Sequence, residues 1–299
     1  MSVIFLFIDG VGIGDESGSN PFYRQTYKGF EAMAGDQPFS RQATSITRPD
    51  HFFKSVDACL NVEGLPQSGT GQTALFTGRN APNEIGKHFG PFPHSGIKPF
   101  LKKQSLFHKA KALDKECRFM NAYPDIFFEK AQKRNRWSCT TLMTKSAGIP
   151  LHTTKEVKEG KALTAEITQQ AWREQLGLEV PEISPEQAAD RLLTQSGQYD
   201  LLLHEYYLTD KAGHSQELSK ANQFLSVYSR FLWHLIQQKP ENTTLVLSSD
   251  HGNIEDLSVK THTYNRVPLF VHGPGARLFS GAQSIMDVTP SILEILKKS

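Results

Sequence analysis

Two short β-prone runs that break off at an acid constrain this chain more than any other feature: Val3 to Ile8, followed by Asp9, and Thr243 to Ser248, followed by Ser249, Asp250 and His251. Each is too short for a helix and bounded by polar residues, the pattern of a parallel strand buried on both faces. Open α/β sheets gather ligands at the carboxyl ends of such strands. Asp9 and the Asp250-His251 pair are therefore expected at one rim. Successive strand residues point to opposite faces, so Asp250 and His251 can reach one centre only if the strand ends there, and Gly252 permits the turn. A third run, Tyr199 to Tyr207, is followed by Asp210 and His214. A separation of four sets these two side chains on one side of a helical turn, as an oxygen and a nitrogen ligand for one ion.

Helical patterns alternate with these strands. Ser184-Pro185-Glu186-Gln187 is a capping-box start for a helix running to about Ser196. Leu218, Ala221, Leu225, Tyr228, Leu232 and Leu235 form the stripe of a long amphipathic helix, and Thr289-Pro290 opens a last one with Ile292, Leu293, Ile295 and Leu296 inward. Ser105 to Leu113 reads as a helix leading into a strand near Cys117. The alternation predicts an α/β fold, a mostly parallel central sheet with helices on both faces. At 299 residues, a single core domain over 1–299 is expected, with the polar stretch 129–178 as a small inserted lid. Phe22, Tyr23, Phe30 and Phe39 lie in an irregular, polar region read as a surface excursion.

Several function classes are disfavoured. Lys and Arg number 33 against 31 Asp and Glu, a formal charge of +2, which argues against a nucleic-acid partner held by phosphate contacts. Cys59, Cys117 and Cys139 fall in no ligand spacing and cannot all pair, consistent with a reduced cytoplasmic compartment. Val3 to Ile8 is short for a signal-peptide core and lacks a basic leader, and no stretch approaches the roughly 18 apolar residues of a membrane span, so no membrane association is expected. Gly10, Gly12 and Gly14 are spaced G-x-G-x-G and do not open a periodic helix, which rules against a dinucleotide fingerprint.

The stretch Gly64 to Arg79 is rich in small residues and reads as a loop passing into a helix at Thr73. Thr73 could cap that helix or serve as a nucleophile, and both uses want a hydroxyl at a helix N-terminus. Arg79, Lys87 and His88 follow in Gly/Pro-punctuated sequence, which reads either as a solvated loop or as a source of groups that reach a substrate phosphate. His262 precedes another short apolar strand. Asp9, Asp210 and Asp250 with His214, His251 and His262 make a mixed oxygen and nitrogen set, suited to two Mn or Zn ions more than to an all-oxygen Ca or Mg cage.

In family order, Asp9-Gly10, Gly71-Gln72-Thr73 with Gly78-Arg79, Asp210-Lys211-Ala212-Gly213-His214, Ser249-Asp250-His251-Gly252-Asn253 and His262 to Pro268 resemble the alkaline phosphatase superfamily. Within it the likeness is to the branch of cofactor-independent phosphoglycerate mutase and phosphopentomutase. The resemblance implies one metal held by Asp210, His214 and His262 and a second held by Asp9, Asp250, His251 and the Thr73 oxygen. It departs from the mutases in having Thr for Ser at the nucleophile and a much shorter insertion after it. A reduced lid protects a phosphoenzyme less well from water, so the expected activity is hydrolysis of a small phosphorylated metabolite through a phospho-threonine. The alternatives are a phosphomutase acting on a sugar phosphate or phosphoglycerate, a phosphodiesterase or sulfatase, and a catalytically silent metal-binding protein.

Overall fold

The computed structural model describes residues 1–134 and 136–298. Seven strands, β1 (Ser2–Ile8), β2 (Ile46–Thr47), β3 (His51–Val56), β4 (Cys117–Phe119), β5 (Leu201–Tyr206), β6 (Thr243–Ser248) and β7 (Val267–His272), form one sheet in the order β2-β3-β7-β6-β1-β5-β4. β1 is central and fully buried, paired parallel to β5 through Val3↔Leu201 and to β6 through Val3↔Thr244. Its residues alternate between two cores. Val3, Phe5 and Phe7 face one side with Phe76, Leu101 and Ile292, while Ile4, Leu6 and Ile8 face the other with Ala189, Leu225 and Leu232. Phe76 sets its ring edge-on to Phe5 and Phe7, at centroid distances of 5.9 and 5.2 Å. Burying such a side chain contributes about 2–3 kcal/mol.

The sheet is mixed where a mostly parallel one was expected. β4, β5, β1 and β6 run parallel, but β7 is antiparallel to β6 and to β3, and β2 is antiparallel to β3. The physical reason lies in the link from β6 to β7, which carries no helix. Without a crossover element the chain must come back antiparallel.

The helix Pro185–Ser196 starts on the expected capping box, Ser184 and Gln187 each bonding the other's backbone. The helix Leu218–Gln238 buries the expected stripe from Ala221 to Leu235, with Leu218 half-buried at its start. Residues 21–39, read as a surface excursion, instead build core. Phe22, Phe30 and Phe39 are buried, with Phe30 4.9 Å from Phe22, 5.4 Å from Phe39 and 5.9 Å from Tyr228 on the long helix; Tyr23 alone of the four aromatics stays exposed. Phe22 and Phe30 sit on two short helices, Pro21–Arg24 and Lys28–Met33, and Phe39 on the bend that follows, elements too brief to leave a period in the sequence.

The stretch 129–178, expected as a lid, divides between the main core and a small cluster of its own, Val157, Ala162 and Trp172 with Ala122 and Val180. Its helix Cys139–Ser146 packs on the helices Ser68–Thr77 and Lys98–Gln104, and Met143 and Cys139 are fully buried. Further on, Ala122 N–H donates to the Leu163 carbonyl at 2.7 Å and Tyr123 N–H to that of His152 at 2.9 Å, tying the segment to the chain beyond β4. Asn135, within that stretch, lies outside the described residues. Among the described residues no helix is long and apolar enough to cross a membrane.

Candidate metal centre

Asp9 follows β1, Asp250 and His251 follow β6, and Asp210 and His214 lie on the helix Leu208–Ser215 just past β5. The three adjacent parallel strands thus deliver their acids to one rim. Ligand atoms of Asp9, Asp250 and His251 lie within 4.8 Å of one another, as do those of Asp210, His251 and His262. His251 Nε2 is 3.4 Å from Asp9 Oδ1 and 3.5 Å from Asp250 Oδ2. Its ring stacks on that of His262, centroids 3.7 Å apart. His214 joins from the exposed side, with Nε2 3.4 Å from Asp210 Oδ2 and 3.2 Å from His262 Nε2.

Backbone carbonyls fix the rings. His262 Nδ1 meets the Pro66 carbonyl at 2.7 Å and His214 Nδ1 that of Lys260 at 2.8 Å. A carbonyl can only accept, so each Nδ1 is the donor, and in the neutral ring Nε2 is a bare lone pair. Two such lone pairs facing each other at 3.2 Å require a proton or a cation between them.

The carboxylates make the same demand. Asp9 Oδ1 and Asp250 Oδ2 are buried without a hydrogen-bond partner. Burial, then the Asp210 charge, pushes the Asp250 carboxyl up to about 7; burial, then the Asp250 charge, raises Asp9 as well. Asp210 is carried well below the usual carboxylate range: burial pushes it upward, but His214, His251 and the Asn253 amide outweigh that. Burial lowers His251, and lowers His262 to about 4, while the Asp210 hydrogen bond raises His214. Buried carboxylate oxygens without donors, Asp9 Oδ1 and Asp250 Oδ2, beside imidazole nitrogens are the donor set of a divalent cation, and these residues fit one.

Thr73 is not part of this cluster, contrary to the sequence reading. The helix begins at Ser68, so Thr73 sits in its second turn, fully buried, donating its hydroxyl back to the Gly69 carbonyl at 2.6 Å and facing Cys139 Sγ at 3.8 Å. The hydroxyl at the centre belongs to Ser68, whose Oγ is 3.0 Å from His251 Nε2. Gly69 and Gly71 read as loop residues, yet they are helical and answer to close approach. A Cβ on Gly71 would come within 2.6 Å of the Asp250 carbonyl oxygen, and one on Gly69 within 2.7 Å of that of Phe89. The signal that could have found Ser68 was this pairing of a hydroxyl with glycines one and three residues on.

Arg79 and His88 are engaged by other groups, and Lys87 is exposed. The Arg79 guanidinium bonds Glu84 at 2.9 Å and Gln104 at 3.1 Å and lies over the Phe100 ring. His88 Nε2 faces the Cys59 and Val62 carbonyls, and exposed Lys87 lies 6.0 Å from the Phe89 ring centre. Among the described residues no hydrogen bond or ion pair joins the three to the cluster. Sequence reasoning also missed the supporting groups. Gln72 Nε2 donates to Asp9 Oδ2 at 3.2 Å and Asn253 Nδ2 to Asp210 Oδ1 at 2.7 Å. Glu255 accepts from the Gly12 and Asn253 amides, both at 2.8 Å, and so locks the turn after Asp250.

Residues 175–299 match the family model of the metalloenzyme superfamily. A 2,3-bisphosphoglycerate-independent phosphoglycerate mutase from Desulforudis audaxviator (strain MP104C) is 31% identical over 126 residues, 39% of this chain and 24% of that protein. The chain spans about a quarter of the length of the curated relatives it matches. In fold the whole chain is similar to the PH0037 protein from Pyrococcus horikoshii (TM-score 0.61, 11% identity, 100% of this chain and 97% of that one). It is similar too to alkaline phosphatase from the Antarctic bacterium TAB5 (TM-score 0.57, 13% identity, 100% and 98%). The resemblance drawn from the motifs is borne out, in fold along the whole chain and in sequence over its C-terminal part.

Proposed function

We propose that this chain, alkaline phosphatase-like in fold and matching the metalloenzyme superfamily over residues 175–299, is a two-metal phosphoryl-transfer enzyme that hydrolyses a small phosphate monoester through a phosphoserine at Ser68. The observation that carries this reading is the 3.0 Å approach of Ser68 Oγ to His251 Nε2 beside unpartnered Asp9 and Asp250 oxygens. Asp9, Asp250, His251 and Ser68 would hold one cation, and Asp210, His214 and His262 the other, Mn or Zn by the mix of oxygen and nitrogen donors. Bound there, divalent cations would neutralise phosphate charge and favour the alkoxide of the serine.

The chain's own residues supply the rest. Ser68 stands at the first position of the ten-residue helix Ser68–Thr77, whose positive end favours an oxyanion and an incoming phosphate. Its oxygen attacks phosphorus, the bond to the leaving-group oxygen breaks in line, and that oxygen takes a proton from solvent. Water then cleaves the phosphoserine, releasing inorganic phosphate and restoring the hydroxyl. Gln72 and Asn253 keep Asp9 and Asp210 in place throughout. The substrate is a small phosphorylated metabolite, with neither nucleic acid nor membrane as partner, and the compartment is the cytoplasm.

A phosphomutase is the second reading, favoured by the phosphoglycerate mutases among the partial relatives. Incubation with ribose 1-phosphate or 3-phosphoglycerate separates the two: free phosphate supports the hydrolase, an isomeric phosphate ester the mutase. No turnover of a broad ester panel with Mn or Zn would defeat both.

A further inference from the structure

A cavity of about 590 Å³ opens beside the cluster, and His262 is part of its wall. A group esterified to a phosphate at the His262 end of the cluster would extend into this space. Two of its lining side chains leave apolar surface uncovered, Tyr264 at 64% exposure and Val259 at 38%. Its charges are lopsided. Arg41 shares the lining with three carboxylates, Asp15, Glu255 and Asp256, and among the described residues no other Lys or Arg lines the cavity. That one guanidinium is already committed, 2.9 Å from Asp15 Oδ1 and 2.5 Å from Asn265 Oδ1. Glu255 is committed too, to backbone amides and to Thr263 and Asn265.

We infer that this cavity is the leaving-group subsite and that it selects an uncharged, polyhydroxylated, sugar-like alcohol seated on Tyr264, and rejects a leaving group bearing a second anion. An aromatic face offers a sugar ring apolar contact, and Asp256 and the hydroxyls of Ser17 and Ser19 offer hydrogen-bonding groups to its hydroxyls. A glycerate carboxylate, by contrast, would meet three like charges against one guanidinium that is already paired with Asp15. The inference rests on the phosphoryl-transfer reading and gives its leaving-group specificity.

The test is calorimetric titration of the full chain loaded with Mn²⁺, using inorganic phosphate, ribose 5-phosphate, 3-phosphoglycerate and phosphocholine. The expected order is ribose 5-phosphate about tenfold tighter than phosphate and at least about tenfold tighter than 3-phosphoglycerate. Tyr264→Ala, at an exposed position, removes the sugar increment, and Tyr264→Phe restores it. Asp15→Asn, which frees Arg41, tightens 3-phosphoglycerate. Equal affinities for phosphate and ribose 5-phosphate, or an unaltered sugar increment in Tyr264→Ala, would overturn the subsite while leaving phosphoryl transfer standing. Tightest binding of phosphocholine would overturn the sugar in favour of a cationic alcohol. Failure of phosphate itself to bind the metal-loaded protein removes both readings.

Discussion

Ser68 Oγ and His251 Nε2 lie 3.0 Å apart although 183 positions separate them in the chain, and this contact brings the start of one helix to the end of β6. Five residues further along the same helix, the Thr73 hydroxyl is spent on the Gly69 carbonyl. The two hydroxyls therefore have separable roles.

Ser68→Ala should lower turnover of phosphate esters about 1,000-fold or more while Mn²⁺ binding, followed by calorimetry, persists. Thr73→Val, which keeps shape and loses one buried hydrogen bond, should cost about 1 kcal/mol of stability and change kcat by less than about threefold. The reverse pattern would return the nucleophile to Thr73.

Asp250 and Asp9 have folded pKa values above those of the unfolded chain. For acids raised in this way, the native state holds the extra protons, so metal-free stability is highest below about pH 4 as far as these groups go. It falls as pH rises through about 7 for Asp250, where the buried pair is forced to ionise. A cation competes with those protons. The rise in Tm on adding Mn²⁺ should therefore be small at pH 5 and grow towards pH 8, reaching about 5 °C or more at saturating metal. A Tm increment independent of pH would contradict carboxylate ligation.

Gly71→Ala adds a Cβ within 2.6 Å of the Asp250 carbonyl oxygen and must push the helix off the strand end. Metal affinity should drop about tenfold, from a position that carries no ligand. Gly281→Ala, where nothing lies within 4 Å and φ is not positive, is the comparison for an added Cβ without crowding.

Phe30→Ala should destabilise the protein by about 3–5 kcal/mol, since the ring is fully buried among Phe22, Phe39 and Tyr228. Urea unfolding measures this. A change under about 1 kcal/mol would mean that residues 21–39 contribute little to the core.

The core strands and six acid and imidazole side chains were legible in sequence because each is a local pattern: an apolar run, its polar stop, a D-x-x-x-H pair. Parallel strands with known ends place Asp9, Asp210, His214, Asp250 and His251 at one rim without further information, whereas His262 reaches that rim only because β7 runs antiparallel to β6. Sheet direction beyond β6, the burial of Phe22, Phe30 and Phe39, and the choice of Ser68 over Thr73 were not legible. Each depends on where a distant segment comes to rest: β3 against β7, the long helix over residues 21–39, the Asp250 carbonyl against Gly71. A glycine in sequence reports only conformational freedom, and whether that freedom makes a loop or lets a helix touch a strand end is decided by tertiary packing.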